Sequence, residues 1–228
     1  MPFDIKKEPT KVQIMGSGSG WELAPRVSNK IIYALNDYVY QERYSNIKPD
    51  ILFIMDVLDE KPMIVSGISN LGDVISRINN MKISLISPFK YEEIPLSEAF
   101  PLEECVKEFG LPYFSNTISY MIAYAMLQGA KEIELYGVNQ ASSSEYFYEK
   151  AGVEYWLGIA VGRNLKVTIN GDKSEVLSNK ARLGGALLYG YNETYQQIMQ
   201  TKQKFGEPII KKLIKPMEPQ SRTIRQVK

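Results

Sequence analysis

Histidine is absent from this 228-residue chain, and cysteine occurs once. Without histidine the chain has no Ser-His-Asp or Cys-His catalysis, no imidazole general base and no histidine-rich zinc site. The single Cys105 excludes an internal disulfide, and its place in an apparent helix, 102–109, predicts a core or half-buried thiol. Any catalysis must therefore use carboxylates, tyrosines, lysines, backbone donors or an oxygen-bound metal such as Mg²⁺.

Long apolar runs are absent as well. No run approaches the ~18 residues that a membrane span needs, and residues 1–10 mix both charges rather than resembling a signal peptide. These observations predict a cytoplasmic protein without a membrane partner. The length and an apolar fraction of 44% suit one large domain with appendages. We predict an N-terminal extension at 1–10, a domain at 11–201 and a C-terminal arm at 202–228.

Short apolar runs alternate with helix-length segments, which is typical of a parallel sheet covered by helices. The fold class predicted is α/β: a single doubly wound, mainly parallel, Rossmann-like sheet with a C-terminal helix at 194–204 and an extended basic arm. Asn116 or Ser115 should cap the helix at 116–129, and Gly129 should end it. The predicted strands are 12–15, 30–35, 51–55, 82–86, 132–136 and 166–169, and a further helix is predicted at 70–81.

The first strand runs into the turn Gly16-Ser-Gly-Ser-Gly20, called the glycine turn below. Glycines let a ligand phosphate approach the backbone amides, and the serine hydroxyls add donors. The turn lacks the third glycine of the dinucleotide fingerprint and the Gly-Lys-Ser/Thr ending of a Walker loop. Trp21 and Pro25 predict that any helix after it is short or irregular. The pattern favours a phosphate site without naming the reaction.

Polar residues follow most of the predicted strands, at the sheet edge where ligands bind in such folds. Each one alone is compatible with ordinary turn chemistry, but together they would complement a nucleotide. Asn36 or Asp37 would take a ribose or a base edge, and Asp56 would hold Mg²⁺ bridging the phosphates. The predicted nucleotide-binding residues are Gly16, Ser17, Gly18, Ser19, Asn36, Asp37, Ser115, Asn116, Gly137 and Asn139.

The segment 146–155 combines tyrosines with Glu149 and Glu154. Its aromatics could stack on a base, but their helical spacing favours core packing. The two glutamates are candidate catalytic carboxylates, together with Asp56. No one of the three is compelling without the others.

Residues 114–139 and the strand end Tyr136-Gly137-Val138-Asn139 resemble a Rossmann-like superfamily. It includes archaeal 6-hydroxymethylpterin diphosphokinases, motility-associated glycosyltransferase-like proteins and CMP-dependent sialyltransferases. Residues 148–162 and 189–191 resemble uncharacterised members from tailed bacteriophages. The resemblance covers about residues 11–192 and implies a phage-encoded, nucleotide- or nucleotide-sugar-binding transferase. The family's Leu-Gly-Val/Ile-Asp ends in Asn139 here, which makes a metal at that point doubtful. Sialyl transfer by a histidine base is excluded.

The C-terminal arm differs from the rest of the chain in charge. Residues 202–228 hold eight Lys or Arg against two Glu, while the rest holds nineteen basic and twenty-four acidic residues, so +6 and −5 give the total of +1. The apolar residues Ile209, Ile210, Leu213 and Ile214 favour docking on another subunit of a homo-oligomer, with nucleic-acid binding as second choice. Two functions stay open: a nucleotide-dependent transferase of glycosyl or diphosphate groups, or a non-catalytic binding or assembly protein that uses this arm.

Overall fold

The computed structural model describes residues 11–25, 29–58, 71–140, 147–171 and 173–178. The predicted N-terminal extension, the helix at 194–204 and the basic arm lie outside these ranges. Within them, no helix has the length and apolar character that crossing a bilayer requires.

Seven strands and five α-helices make up the described part of the chain. Three short 3₁₀ turns, at Trp21–Leu23, Glu42–Tyr44 and Val176–Ser178, connect them. The strands are β1 Lys11–Met15, β2 Ile31–Leu35, β3 Ile51–Phe53, β4 Ser84–Ser87, β5 Ser97–Ala99, β6 Glu132–Tyr136 and β7 Lys166–Asn170. The helices are α1 Asp37–Tyr40, α2 Leu71–Met81, α3 Leu102–Phe109, α4 Thr117–Leu127 and α5 Phe147–Gly162.

The strands form one sheet in the order β5-β4-β3-β2-β1-β6-β7, and every neighbouring pair is parallel. The predicted α/β, doubly wound, Rossmann-like sheet is therefore confirmed. All six predicted strands occur, with ends that differ from the prediction by at most two residues. β5 was missed because Ser-Glu-Ala carries neither an apolar run nor an alternating pattern. The chain runs outward from β1 to β5 and then returns to β6, so the order reverses between β1 and β6.

Helices cover both faces of the sheet. On one face α4 packs against β1, β2, α3 and α5, and this position explains why it is apolar on nearly all sides. The opposite face is covered by α1 and α2, and α2 buries only Val74 and Ile78. The predicted cap and stop of α4 are confirmed: the Asn116 side chain accepts a hydrogen bond from the Ser119 amide, and Gly129 has φ +82°.

Cys105 lies on α3 with its side chain fully buried. Burial, helped by the nearby Glu104 carboxylate, raises the pKa of this thiol to about 11. A thiol that stays protonated and inaccessible is a poor nucleophile, so the prediction of a core residue is confirmed.

Candidate functional site

A cleft of about 800 Å³ opens at the edge of the sheet where the strand order reverses. Its volume is in the range of small-molecule and cofactor sites. Residues from both helical layers line it, so a ligand would lie across the carboxyl ends of β1, β2, β3 and β6. Ten of the predicted site residues line the cleft: Gly16, Ser17, Gly18, Asn36, Asp56, Ser115, Asn116, Gly137, Asn139 and Glu149.

The glycine turn packs tightly against the turn after β6. The Gly16 amide donates to the Tyr136 carbonyl oxygen at 2.7 Å, and the Gly18 amide donates to the Gly137 carbonyl oxygen at 2.8 Å. A Cβ atom on Gly16 would lie 2.4 Å from the Gly137 oxygen, so only glycine permits this approach. Both amides, which we expected to hold a phosphate, already donate within the protein.

Asn139, which follows β6, also holds the glycine turn in place. Turned so that both polar atoms of its amide are paired, Asn139 accepts from the Ser19 amide at 3.1 Å and donates to the Ser19 carbonyl oxygen at 3.1 Å. An aspartate could not donate to that carbonyl, which explains an amide where the resembling families carry an acid. The Asn139 side chain, which we predicted to bind the nucleotide, is thus engaged by the protein itself.

Ser17 is the part of the glycine turn that faces the cleft with unused donors. The Gly20 amide donates to Glu22 Oε2 at 3.0 Å, and the 3₁₀ turn at Trp21–Leu23 confirms that no long helix follows. The Ser17 carbonyl accepts from the Tyr44 hydroxyl at 3.1 Å and from Arg43 Nη2 at 3.3 Å. The Ser17 amide and hydroxyl have no partner among the described residues and are open to a ligand.

Asn36 and Asp56 meet across the ends of β2 and β3. Asn36 Nδ2 donates to Asp56 Oδ2 at 3.2 Å, and both side chains line the cleft. In the part of the chain that the structure describes, no three acidic, cysteine or histidine side chains cluster as metal ligands. The described residues around Asp56 therefore offer a metal ion one carboxylate, beside an Asn36 amide nitrogen that acts as a hydrogen-bond donor. This arrangement does not fit a protein-held Mg²⁺ site, and the magnesium role of Asp56 stays a prediction.

The start of α4 is tied to the start of α5. Asn116 caps α4 through Oδ1 and donates from Nδ2 to Glu149 Oε2 at 3.1 Å, while Ser115 Oγ donates to the Glu149 carbonyl at 2.7 Å. Gly152 permits this contact, since a Cβ atom there would lie 2.0 Å from Ser115 Oγ. The second oxygen of Glu149 accepts no hydrogen bond from the described residues, so this carboxylate can accept a proton, or a hydrogen bond from a hydroxyl group, of a ligand.

Three predicted residues are not part of the cleft lining. Glu154 accepts from the Leu177 amide at 2.7 Å and pairs with Lys150 at 3.6 Å. It thus connects α5 to the 3₁₀ turn at Val176–Ser178, which follows β7. Ser19 is held by Asn139, as described above. Asp37 begins α1, and its side chain lies outside what the structure describes, as do residues 141–146 with Tyr146.

Four of the other residues that line the cleft bear on its chemistry and are not among the predicted site residues. They are Arg43, Phe114, Tyr120 and Gln140. Phe114 stacks on Tyr120 with ring centroids 4.1 Å apart, and on Trp156 at 4.8 Å. Burial raises the pKa of Tyr120, so its hydroxyl stays protonated and can donate.

Of these four residues, Gln140 is the one that its position in the sequence could have indicated, because it directly follows the polar residues at the end of β6. It is 8% exposed, with φ +47°, and its Oε1 is buried without a hydrogen-bond partner among the described residues. Nothing in the sequence pattern could place the other three, because they converge from separate elements. The core packing favoured for the aromatics of segment 146–155 is confirmed for Tyr155, whereas Tyr148 is 84% exposed.

Comparisons with known proteins identify the fold. No family model matches the chain, and no curated protein matches it. Among solved structures, it is similar to the sialyltransferase CstII from Campylobacter jejuni in complex with a substrate analogue, CMP-3FNeuAc. That match has 17% identity and a TM-score of 0.51, and it covers 72% of this chain and 81% of that one. A single-residue variant of CST-II in complex with CMP gives 16% identity, a TM-score of 0.50 and coverage of 72% and 82%. The chain thus has a fold in common with a sialyltransferase.

Proposed function

We propose that the cleft binds a nucleotide-sugar and that the protein transfers its glycosyl group to an acceptor. The observation that carries the proposal is the convergence of polar side chains from both helical layers on a cleft of about 800 Å³ at the strand-order reversal. Ligands bind at this point in open α/β sheets. The similar CstII structures hold CMP and a CMP-sugar analogue, which supports the same class of ligand here.

Two parts of the cleft suit two parts of such a ligand. Asp56, positioned by Asn36, presents carboxylate oxygens that accept hydrogen bonds from ribose hydroxyls. The wall formed by Tyr120 and Phe114 is flat and apolar, and it suits the face of a base or a sugar. Phe114 has a ring stacked on each face, so Tyr120 is the member of this stack that can meet the ligand.

Glycosyl transfer breaks the bond between the anomeric carbon and the donor phosphate oxygen, and it forms a bond from the acceptor oxygen to that carbon. The acceptor hydroxyl loses a proton, and the nucleotide phosphate leaves with the bond electrons. The chain has no histidine to take this proton, and the cleft lining offers two carboxylates that can, Asp56 and Glu149. We assign this role to Glu149, whose position is fixed by Asn116. Asp56 is the alternative base, and Glu154 is not retained.

Thermal-shift and donor-hydrolysis measurements test the proposal. Nucleoside mono- and diphosphates and nucleotide-sugars are screened with and without Mg²⁺, and a ligand at 100 times its Kd should stabilise the fold by about 2.7 kcal/mol. A bound nucleotide-sugar should release its nucleotide at a rate that falls about 100-fold or more in Glu149→Gln. Stabilisation by no nucleotide or nucleotide-sugar would contradict the proposal.

Nucleotide binding without transfer is the second candidate function. It is favoured by the lack of histidine and by the engagement of Asn139 and Glu154 in the protein's own hydrogen bonds. Tight nucleotide binding with no turnover of any donor would select it. Diphosphate transfer is the remaining reaction that the resemblance implies, and a nucleoside triphosphate that is consumed would identify it. Phage origin, and subunit or nucleic-acid contacts of the arm, stay predictions.

A further inference from the structure

Arg43 is the one residue with a positive charge among the described residues that line the cleft. It belongs to the 3₁₀ turn at Glu42–Tyr44, on the sheet face opposite α4 and α5. The lining has two carboxylates: Asp56 follows the end of β3, and Glu149 lies on α5. An anionic group entering the cleft is therefore attracted toward Arg43 and repelled from the other walls.

The guanidinium of Arg43 packs on the Tyr44 ring, which other residues hold in place. It stands 4.7 Å from the centre of the Tyr44 ring. Tyr44 is buried, stacks on Tyr38 with centroids 4.3 Å apart, and donates from its hydroxyl to the Ser17 carbonyl. Arg43 Nη2 makes one long hydrogen bond, 3.3 Å, to that same carbonyl. A guanidinium carries five N–H donors, and the others have no partner among the described residues.

We propose that Arg43 binds the phosphate of the ligand, together with the amide and hydroxyl of Ser17. This inference rests on the proposed function and names the group that recognises the charged part of the donor. The amides of Gly16, Gly18 and Gly20 donate within the protein, so the glycine turn alone lacks the donors that a phosphate needs. Arg43 supplies them as a planar fork that matches two phosphate oxygens.

Arg163 offers a matched control on the other side of the fold. Its guanidinium lies 4.6 Å from the centre of the Phe109 ring, almost the distance of Arg43 from Tyr44. It differs in having a carboxylate partner, Glu108, at 2.7 Å, and it is not part of the cleft lining. Comparing variants of the two arginines therefore distinguishes the effect of losing a guanidinium that packs on an aromatic ring from the effect of losing one that also lines the cleft with unused donors.

Calorimetric titration with CMP, cytidine and inorganic pyrophosphate tests the inference. For Arg43→Gln we expect CMP and pyrophosphate to bind about 10- to 100-fold more weakly, with cytidine unchanged. Arg43→Lys should recover part of the loss, because it restores the charge without the fork. Arg163→Gln should match the wild type, and thermal unfolding of each variant checks that it is folded.

Each outcome separates this inference from the proposed function. Equal binding of CMP by the wild type and Arg43→Gln would overturn the role of Arg43 and leave the proposed function standing. Pyrophosphate binding that depends on Arg43, without binding of any nucleotide or nucleotide-sugar, would support Arg43 and overturn the proposed function. An equal loss of cytidine affinity, or no binding of CMP and pyrophosphate by the wild type, would overturn the inference.

Discussion

The glycine turn and the start of α4 face the same cleft, but they satisfy their backbone groups in different ways. In the glycine turn, the amides of Gly16 and Gly18 donate to carbonyls at the end of β6, and Asn139 pairs with Ser19. At the start of α4, a side chain, Asn116, caps the helix and holds Glu149. Close backbone packing engages the amide donors of the glycine turn within the protein, whereas capping by Asn116 leaves the Glu149 carboxylate open to a ligand.

The largest expected effect comes from disrupting the backbone packing of the glycine turn. Gly137 has φ +65°, and a Cβ atom there would lie 2.6 Å from the Gly18 carbonyl oxygen and 2.8 Å from that of Gly16. Gly137→Ala should lower the free energy of unfolding by about 3 kcal/mol, from backbone strain and overpacking combined. Urea denaturation measures this change.

Gly158→Ala is the control for that substitution. A Cβ atom at Gly158, on the exposed side of α5, would meet nothing within 4 Å. It should leave stability unchanged or raise it by about 0.5–1 kcal/mol, since alanine is the better helix former. Equal unfolding free energies for the two variants would show that the approach of the two turns is not tight.

Asn139→Asp disrupts the same packing by charge rather than by volume. The substitution removes the donor to the Ser19 carbonyl and places a carboxylate oxygen against it. We expect a loss of about 1–2 kcal/mol in the free energy of unfolding. Asn80→Asp, at an exposed position on α2, is the comparison and should cost a few tenths of a kcal/mol. A cost no greater than that of Asn80→Asp would mean that Asn139 does not hold the turn.

Asn116 tests the capped side of the cleft. Asn116→Ala removes both the cap of α4 and the contact with Glu149, and it should cost about 1 kcal/mol. Asn116→Ser keeps a capping oxygen but loses the donor to Glu149, so it should recover most of the stability while slowing any transfer reaction. Thermal unfolding and donor hydrolysis, measured on both variants, separate the two roles. Equal stability of the alanine and serine variants would contradict the capping role.

The smallest expected effect on stability compares the two stacked arginines. Arg163→Gln breaks an exposed ion pair with Glu108 and should cost a few tenths of a kcal/mol. Both variants lose a contact between a guanidinium and an aromatic ring, but Arg43→Gln loses a long hydrogen bond to the Ser17 carbonyl in place of an ion pair and should change the free energy of unfolding less. Chemical denaturation measures both. A larger loss for Arg43→Gln would mean that this arginine supports the fold of the glycine turn.

The sheet could be predicted from the sequence because its central strands are buried on both faces and therefore appear as short apolar runs. The capped start of α4 was also predictable, since an asparagine at a helix start satisfies a local backbone amide. β5 escaped because Ser97–Ala99 is a strand only through its pairing with β4. Arg43 and Tyr120 escaped because their place at the cleft depends on contacts between elements far apart in the chain.

The sequence by itself determined the α/β fold and the group of polar residues at the carboxyl ends of the strands. It also excluded histidine and disulfide chemistry. Local periodicity and composition are sufficient for these conclusions. Only the tertiary structure decided which donors in the glycine turn remain unused, because that depends on the approach of the turn after β6. It also brought Arg43 from one helical layer and Glu149 from the other to a single cleft, and no local pattern encodes that arrangement.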